Sequence, residues 1–203
     1  MRKLGQKILS EIQKKLTKHF QWIKTGGKKG KRLELDEIDL SNIYDKTFVM
    51  ENAFLTACLF SNINFEKADF YTAELYSCIF TNSQFENCNF RKAELDYCEF
   101  NNAVFQDCIF SRTDMYESHI RNSIIKGGIL DLSLMKCDLR GSTLENIDFQ
   151  YAYWDTVKVN GTKFINPQNL ELAVKLSLDI STNESSIIIE GDKAIQWILS
   201  HNN

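Results

Sequence analysis

The residues able to do chemistry are few in this 203-residue chain, and their spacing brings no reactive set together. Three histidines, His19, His119 and His201, stand far apart. None has a companion nucleophile in an arrangement that a proton relay would need. Six cysteines, Cys58, Cys78, Cys88, Cys98, Cys108 and Cys137, form no C-x-x-C pair and have no histidine at ligand spacing. Metal binding and dithiol redox chemistry are therefore not expected, and no cofactor is implied. Gly26-Gly27 and Gly127-Gly128 lack the strand-before-helix setting of a phosphate loop. What remains is carboxylate: Glu74, Glu94 and Asp114 recur every twenty residues, with Asp96 and Glu117 just beyond. Strung out instead of paired in a pocket, they suit a charged binding face better than acid–base catalysis. The expectation is a protein that binds and is not an enzyme.

The elements that position these residues follow from one period. From Leu55 to Leu130 every fifth residue is apolar: Leu55, Phe60, Phe65, Phe70, Leu75, Phe80, Phe85, Phe90, Leu95, Phe100, Phe105, Phe110, Met115, Ile120, Ile125 and Leu130. Two residues before each stands a smaller one, among them Ala53, Cys58, Ala73, Ser83, Ala93, Thr113 and Gly128. A helix would scatter a five-residue period around its circumference, and a flat strand would alternate it between faces. The chain must turn after each five residues and present the same side inward, which describes a solenoid. All six cysteines fall at this position and are then small buried fillers, reduced as in a cytoplasm.

The number of sides is also written in the sequence. The large residue cycles as Leu, Phe, Phe, Phe, and an Asn recurs at 42, 62, 82, 102 and 122 in the same phase, with Gly141 and Gly161 following. Both patterns have period twenty, so four quintets make one coil, and stacked coils should lie about 4.8 Å apart. Asn and Gly tolerate left-handed backbone, so that column should mark a tight corner.

The segments FEKADF, YTAEL, FENCNF and RKAEL resemble the pentapeptide-repeat pattern, a small residue, an acidic or amide residue, then Leu or Phe and two variable positions. The resemblance covers Ala53 to Phe164. It implies an all-β solenoid, a right-handed quadrilateral β-helix of about six to seven coils. It also implies that some relatives mimic duplex DNA in width and charge and bind DNA gyrase or topoisomerase IV. On that analogy Glu74, Glu94, Asp96, Asp114 and Glu117 are the candidate partner-binding residues.

The ends differ from the coils. Residues 1–32 hold eleven Lys or Arg against Glu11 alone, and Leu4, Ile8, Ile12, Leu16, Phe20 and Ile23 mark an amphipathic helix stopped by Gly26-Gly27. It could cap the open first coil, or meet an anionic membrane, nucleic acid or a partner groove. Residues 33–166 carry 21 Asp or Glu against 11 Lys or Arg, so the overall net charge of −3 conceals two opposed segments. Leu35, Ile38, Leu40 and Ile43 open the β-helix, while Asp45 and Phe48 break its phase. Near 130–139 the phase slips by one, and Leu134 or Met135 takes the next inward position. Asn166-Pro167 reads as the start of a helix with Leu170, Ala173, Val174 and Leu176 as its stripe. Ser186 to Ile189 reads as a short strand and Asp192 as the start of a last helix. Residues 167–203 are thus expected to be a helical cap, which in the family supports a homodimer. With neither a leader nor a membrane span evident, the expected compartment is cytoplasmic.

Two functions follow. The first is a scaffold whose acidic β-helix engages a protein partner without binding nucleic acid through its coils. The alternative is a membrane- or surface-localised scaffold recruited by the basic helix.

Overall fold

Each quintet folds as one side of a square because its third inward residue buries while its fifth turns a corner. The computed structural model describes residues 2–41, 49–127, 131–182 and 185–201, and of residues 2–9 only the backbone. Asn42, Ile43, Asp45, Phe48, Gly128 and Leu130 lie outside the described residues. The chain begins with helix α1 (Arg2–Lys24) and ends with helix α2 (Asp192–Ser200). Between them run β1 (Glu34–Asp36), β2 (Phe54–Thr56), β3 (Asn64–Glu66), β4 (Glu74–Tyr76), β5 (Gln84–Glu86), β6 (Val104–Gln106) and β7 (Thr113–Tyr116). They are followed by β8 (Ile124–Lys126), β9 (Leu132–Met135), β10 (Thr143–Glu145), β11 (Tyr153–Lys158), β12 (Lys163–Ile165), β13 (Lys175–Asp179) and β14 (Ile188–Glu190). The whole is a β-solenoid of about seven turns with a helix at each end.

Two opposite sides carry parallel sheets. On one, β1, β2 and β4 pair in order, and single bridges from Glu74 to Glu94 and Glu94 to Asp114 carry the ladder on to β7, β9, β11 and β13. On the other, β3, β5, β6, β8, β10 and β12 pair in sequence. Register steps by twenty, as in Phe65↔Phe85↔Phe105↔Ile125. Like side chains therefore stack. Phe60–Phe80, Phe85–Phe105 and Phe70–Phe90 have ring centroids 4.8, 4.8 and 4.7 Å apart and planes within 7° of parallel. Strand spacing sets that distance, and the three Phe columns meet one another edge to face, as in Phe65–Phe70 at 70°.

Corners are left-handed on all four edges, not only in the Asn column. Ala57, Asn62, Lys67 and Thr72, one from each side of a coil, have φ of 49°, 62°, 55° and 52°. The Asn column adds a side-chain ladder: Asn82 Nδ2 donates to Asn62 Oδ1 and Asn102 Nδ2 to Asn82 Oδ1, both at 3.2 Å. The small inward residues also tie coils together. The hydroxyls of Ser83, Thr113 and Ser118 donate to the carbonyls of Phe60, Phe90 and Leu95 in the coil before, at 2.7, 2.7 and 2.6 Å. Cys98 uses its thiol the same way on Leu75, at 3.0 Å. All six cysteines are buried and free of disulfides.

Two departures from twenty shape the distal half. Thr113 pairs with Leu132 and Met115 with Leu134, a step of nineteen, so Leu134 and not Met135 turns inward. Further on, Trp154 pairs with Leu176, a step of twenty-two. The helix expected to open at Asn166-Pro167 does not form. A helix N-cap needs extended backbone, whereas Asn166 has φ 51°, like the corners at Asn146 and Thr156. Gln168 then bridges Asp148, and a 3-10 turn, Leu170–Leu172, absorbs the extra length. Leu176, with the hoped-for stripe, is instead strand, buried beside Leu178 over Trp154, while Val174 lies exposed. Burying that strand on the open last coil outweighs the weak propensity of a short isolated helix. The solenoid thus runs past residue 166 to β13, and β14 adds an antiparallel outer strand.

Candidate functional site: an acidic and aromatic strip on the leucine side

The leucine side owes its outward residues to simple alternation. Leu55, Leu75, Leu95 and Met115 point inward, so the residues on either side of each point out. Column by column these are Phe54, Glu74, Glu94, Asp114 and Ser133, and beside them Thr56, Tyr76, Asp96, Tyr116 and Met135. The inward set, Leu55, Phe60, Phe65, Phe70, Leu75, Phe80, Phe85, Phe90, Leu95, Phe100, Phe105, Phe110 and Met115, is buried throughout. It fills the coil interior and leaves the surface as the place where binding can occur.

The five carboxylates singled out by sequence do not share one environment. Glu74 is held by Arg32, whose Nη2 lies 2.7 Å from its Oε1 while Nε donates to the Asn52 carbonyl. Glu117, at a corner, faces Lys136 Nζ at 3.4 Å, and that lysine also donates to the Tyr116 hydroxyl at 2.8 Å. Glu94, Asp96 and Asp114 have no ion pair among the described residues. Glu94 accepts the Tyr76 hydroxyl, and Asp96 accepts the Tyr116 backbone N–H at 2.9 Å. Partial burial, and beyond it the neighbouring Glu94 and Asp114, raise the Asp96 carboxyl above its ordinary range despite the Tyr116 bond. Burial and the bond to Glu94 likewise raise the Tyr76 phenol. Negative charge is concentrated there, mid-rod.

Aromatic rings and cations frame this centre, and sequence reasoning passed over both. Tyr97, half exposed, meets Tyr116 edge to face at 5.5 Å. Tyr76, Asp96 and Tyr116 are twenty apart, so the period alone could have placed the tyrosines beside the carboxylates. On the entering corner Lys92 and Arg112 occupy left-handed positions two residues before Glu94 and Asp114. The strip is therefore narrow: carboxylate and phenol in the middle, with Arg32, Lys92, Arg112 and Lys136 around it. Such a surface suits a cationic side chain that can sit between a carboxylate and a ring face.

At the N-terminal end α1 covers the first coil. Ile12 and His19 are buried against it. His19 Nδ1 accepts the Leu33 backbone N–H at 3.0 Å, and Lys15 donates to the Glu34 carbonyl at 3.3 Å. These are the edge groups that a first strand would otherwise leave open. Residues 25–32 fold back along the helix, where Lys31 N–H donates to the Lys18 carbonyl. Gly30 is required there, for φ is +83° and a Cβ would lie 2.0 Å from that same carbonyl. No described helix is long and apolar enough to cross a membrane.

A four-sided β-solenoid with stacked inward columns and a charged strip defines a repeat scaffold. Two family profiles described as pentapeptide repeats match the chain, one over residues 50–85 and one over 75–119. Residues 50–119 are thus pentapeptide repeats, and proteins built of such repeats are generally non-enzymatic structural or binding proteins. No curated protein sequence matches it significantly. Solved structures of related form include a trypsin-treated form of QnrB1, a plasmid-mediated fluoroquinolone resistance protein, at 16% identity and TM-score 0.30, over 84% of this chain and 96% of that one. They also include HetL, a pentapeptide-repeat protein involved in heterocyst differentiation regulation from Nostoc sp. strain PCC 7120, at 15% identity and TM-score 0.21, over 69% and 83%. Rfr23 from the cyanobacterium Cyanothece 51142 is a third, at 19% identity and TM-score 0.20, over 64% and 84%.

Proposed function

We propose that the protein is a non-catalytic scaffold that binds a cationic protein surface through Glu94, Asp96 and Asp114, with Tyr76, Tyr97 and Tyr116 lining the contact. The observation that carries this reading is that these three adjacent carboxylates lack cationic partners among the described residues, while their neighbours Glu74 and Glu117 have them. Unpaired charge on a rigid β wall costs little to present and steers a partner of opposite sign. The sharpest form of the reading is a DNA mimic acting on DNA gyrase or topoisomerase IV, whose DNA-binding grooves are cationic. The pentapeptide repeats of residues 50–119 support that choice of partner.

The test is a binding measurement against both enzymes with the parent and the Glu94→Lys, Asp114→Lys double variant. Parent binding should weaken steeply with salt and be competed by duplex DNA, and the variant should lose it. Equal binding by both proteins, or no binding by the parent, sinks the reading. A homodimer belongs to the same proposal. β14 is the outermost strand of its sheet, and Ile188 on it and Ile187 just before it are exposed, so a second copy can continue the sheet. Sedimentation should then give twice 23.5 kDa, and Ile188→Lys should return the monomer.

A further inference from the structure

Apart from Arg32, the basic segment is not used by the strip just described. In the described part of α1 and the turn after it, Lys14, Lys15, Lys18, Lys24, Lys28, Lys29 and Lys31 are exposed, and none has an ion pair with a described residue. The buried stripe of the helix is Ile12 and His19, with Leu16 partly buried. At about 100° per residue, Lys14 and Lys18 fall on the side away from that stripe. The sequence continues their spacing with lysine at positions 7 and 3. The folded-back turn adds to the same side, since Lys31 is bonded to the Lys18 carbonyl. A cap has no need of this charge. The edge groups of the first strand are met by His19 and Lys15.

We propose that the outer face of α1, with the turn lysines, docks the end of the solenoid onto an anionic lipid bilayer. Three observations favour a bilayer over nucleic acid. Among the described side chains of this segment the free cations are all lysine, point charges on flexible stems that suit mobile headgroups, whereas the one guanidinium among them, Arg32, is committed to Glu74 and Asn52. Phe20 is 45% exposed with Lys24 Nζ 4.5 Å from its ring centroid, an aromatic and a cation side by side as at a membrane interface. And α1 sits across the end of an acidic rod. A plane can touch that end while coils more than about 8 Å away are screened from it, but a duplex lying alongside would meet their charge.

Flotation of the full chain with phosphatidylcholine vesicles, with and without phosphatidylglycerol, decides the matter. Binding should require the anionic lipid and fade as salt rises. Lys14→Glu with Lys18→Glu should lower partitioning by about thirtyfold or more, since each lysine contributes about 1 kcal/mol at such a surface. Lys28→Glu with Lys29→Glu, outside the helix, gives a second variant that leaves the packed face alone and should weaken binding similarly. The Glu94→Lys, Asp114→Lys variant should float like the parent, so failure of the strip and failure of this face are separable. No flotation with anionic vesicles, equal flotation with phosphatidylcholine alone, or unchanged binding by both lysine variants overturns the proposal. Tighter capture of a duplex oligonucleotide than of vesicles overturns it too, and assigns the face to nucleic acid.

Discussion

The coils from Ala53 to Phe110 and those from Met115 to Phe164 have the same plan and are filled differently. The first are packed by three columns of parallel Phe rings and one of Leu, each residue lying on its own kind. In the second the inward residues are Met115, Ile120, Ile125, Leu134, Leu139, Leu144, Phe149, Trp154, Val159 and Phe164, and few lie on their like. The nineteen-residue step falls at the junction. An apolar gap of about 10 Å³ lies there, lined in part by Phe110, Met115, Ile125, Leu132, Leu134 and Trp154. Trp154 is fully buried, and its indole N–H has no hydrogen-bond partner among the described residues. A strict repeat lets one good packing solution serve every coil, and a single deletion obliges each later layer to find its own.

Since each coil touches only its neighbours, stability should vary along the rod. The largest effect is expected at the centre of the regular half. Phe105→Ala should cost about 3–5 kcal/mol, because it leaves a hole in a column that cannot collapse. Leu134→Ala, beside a gap already present, should fall near 2 kcal/mol, the low end for such truncations. Denaturant titration measures both, and equal costs would remove the distinction between the halves. The cysteines give a finer reading. Burial pushes the Cys137 thiol up to about 12, and all six should resist thiol reagents in the native state. As denaturant rises, Cys137 should label before Cys88 and Cys98.

Next in size is a polar pin that, among the described residues, only the distal half has. Asp138, 3% exposed, takes Arg140 Nη2 at 2.6 Å and Arg121 Nη2 at 2.7 Å. Burial pushes its carboxyl up, but the bonds from Arg140 and Arg121 prevail and hold it below the ordinary range. Asp138→Asn should cost about 2 kcal/mol, less than a fully buried pair because both arginines are partly exposed. The folded value is depressed, so this contribution is present above the unfolded carboxylate pKa and is lost as pH falls through the folded one. The variant should lack that portion of the acid transition.

Much of this was legible before any coordinates. Period five marks the turning chain, period twenty the four sides, and the left-handed Asn column is one of the four corners. Asp192 does open the last helix. What could not be read was whatever depends on neighbours across coils or on competition between elements. Asn166-Pro167 is a sound helix start in isolation, and only the uncovered last coil, hungry for another strand, decides against it. Leu134 and Met135 are equally apolar, and the pairing with Met115 chooses between them. The candidate strip changed most. Glu74 and Arg32 are 42 positions apart, so their ion pair has no local signal, and without it five carboxylates read as equally free.

The N-terminal cap supplies a pH test that the distal end should not share. His19 is buried, its Nδ1 already accepts a hydrogen bond from the Leu33 backbone N–H, and its Nε2 has no hydrogen-bond partner among the described residues. Burial lowers its pKa, the Glu51 carbonyl opposes that, and the Arg32 charge adds to the lowering. The unfolded chain therefore binds the proton more readily. Stability from this site is complete above the unfolded histidine value of about 6.5 and declines as pH falls below it. Melting curves between neutral and mildly acid pH should show the decline, and His19→Gln should flatten it. A parent whose melting temperature is level across that window would place the histidine elsewhere.

The smallest effect concerns the corners themselves. In the regular half the column at 62, 82 and 102 is Asn, and in the distal half Gly141 and Gly161 take its place at φ 73° and 71°. Glycine fits this backbone but leaves more freedom to lose on folding, whereas Asn tolerates it with fewer unfolded states. At Gly161 a Cβ would meet only Gly141 backbone atoms, at 3.7 and 3.8 Å, which is ordinary contact. Gly161→Asn should therefore raise stability by about 0.5 kcal/mol, a melting shift of about 1–2 °C. At Gly141 the same Cβ would lie 2.4 Å from Asn122 Oδ1, so that amide must swing away first and the gain should shrink or vanish. If both substitutions destabilised alike, the corner geometry and not the chain entropy would be limiting. The distal half would then owe its glycines to the register slip and not to tolerance of it.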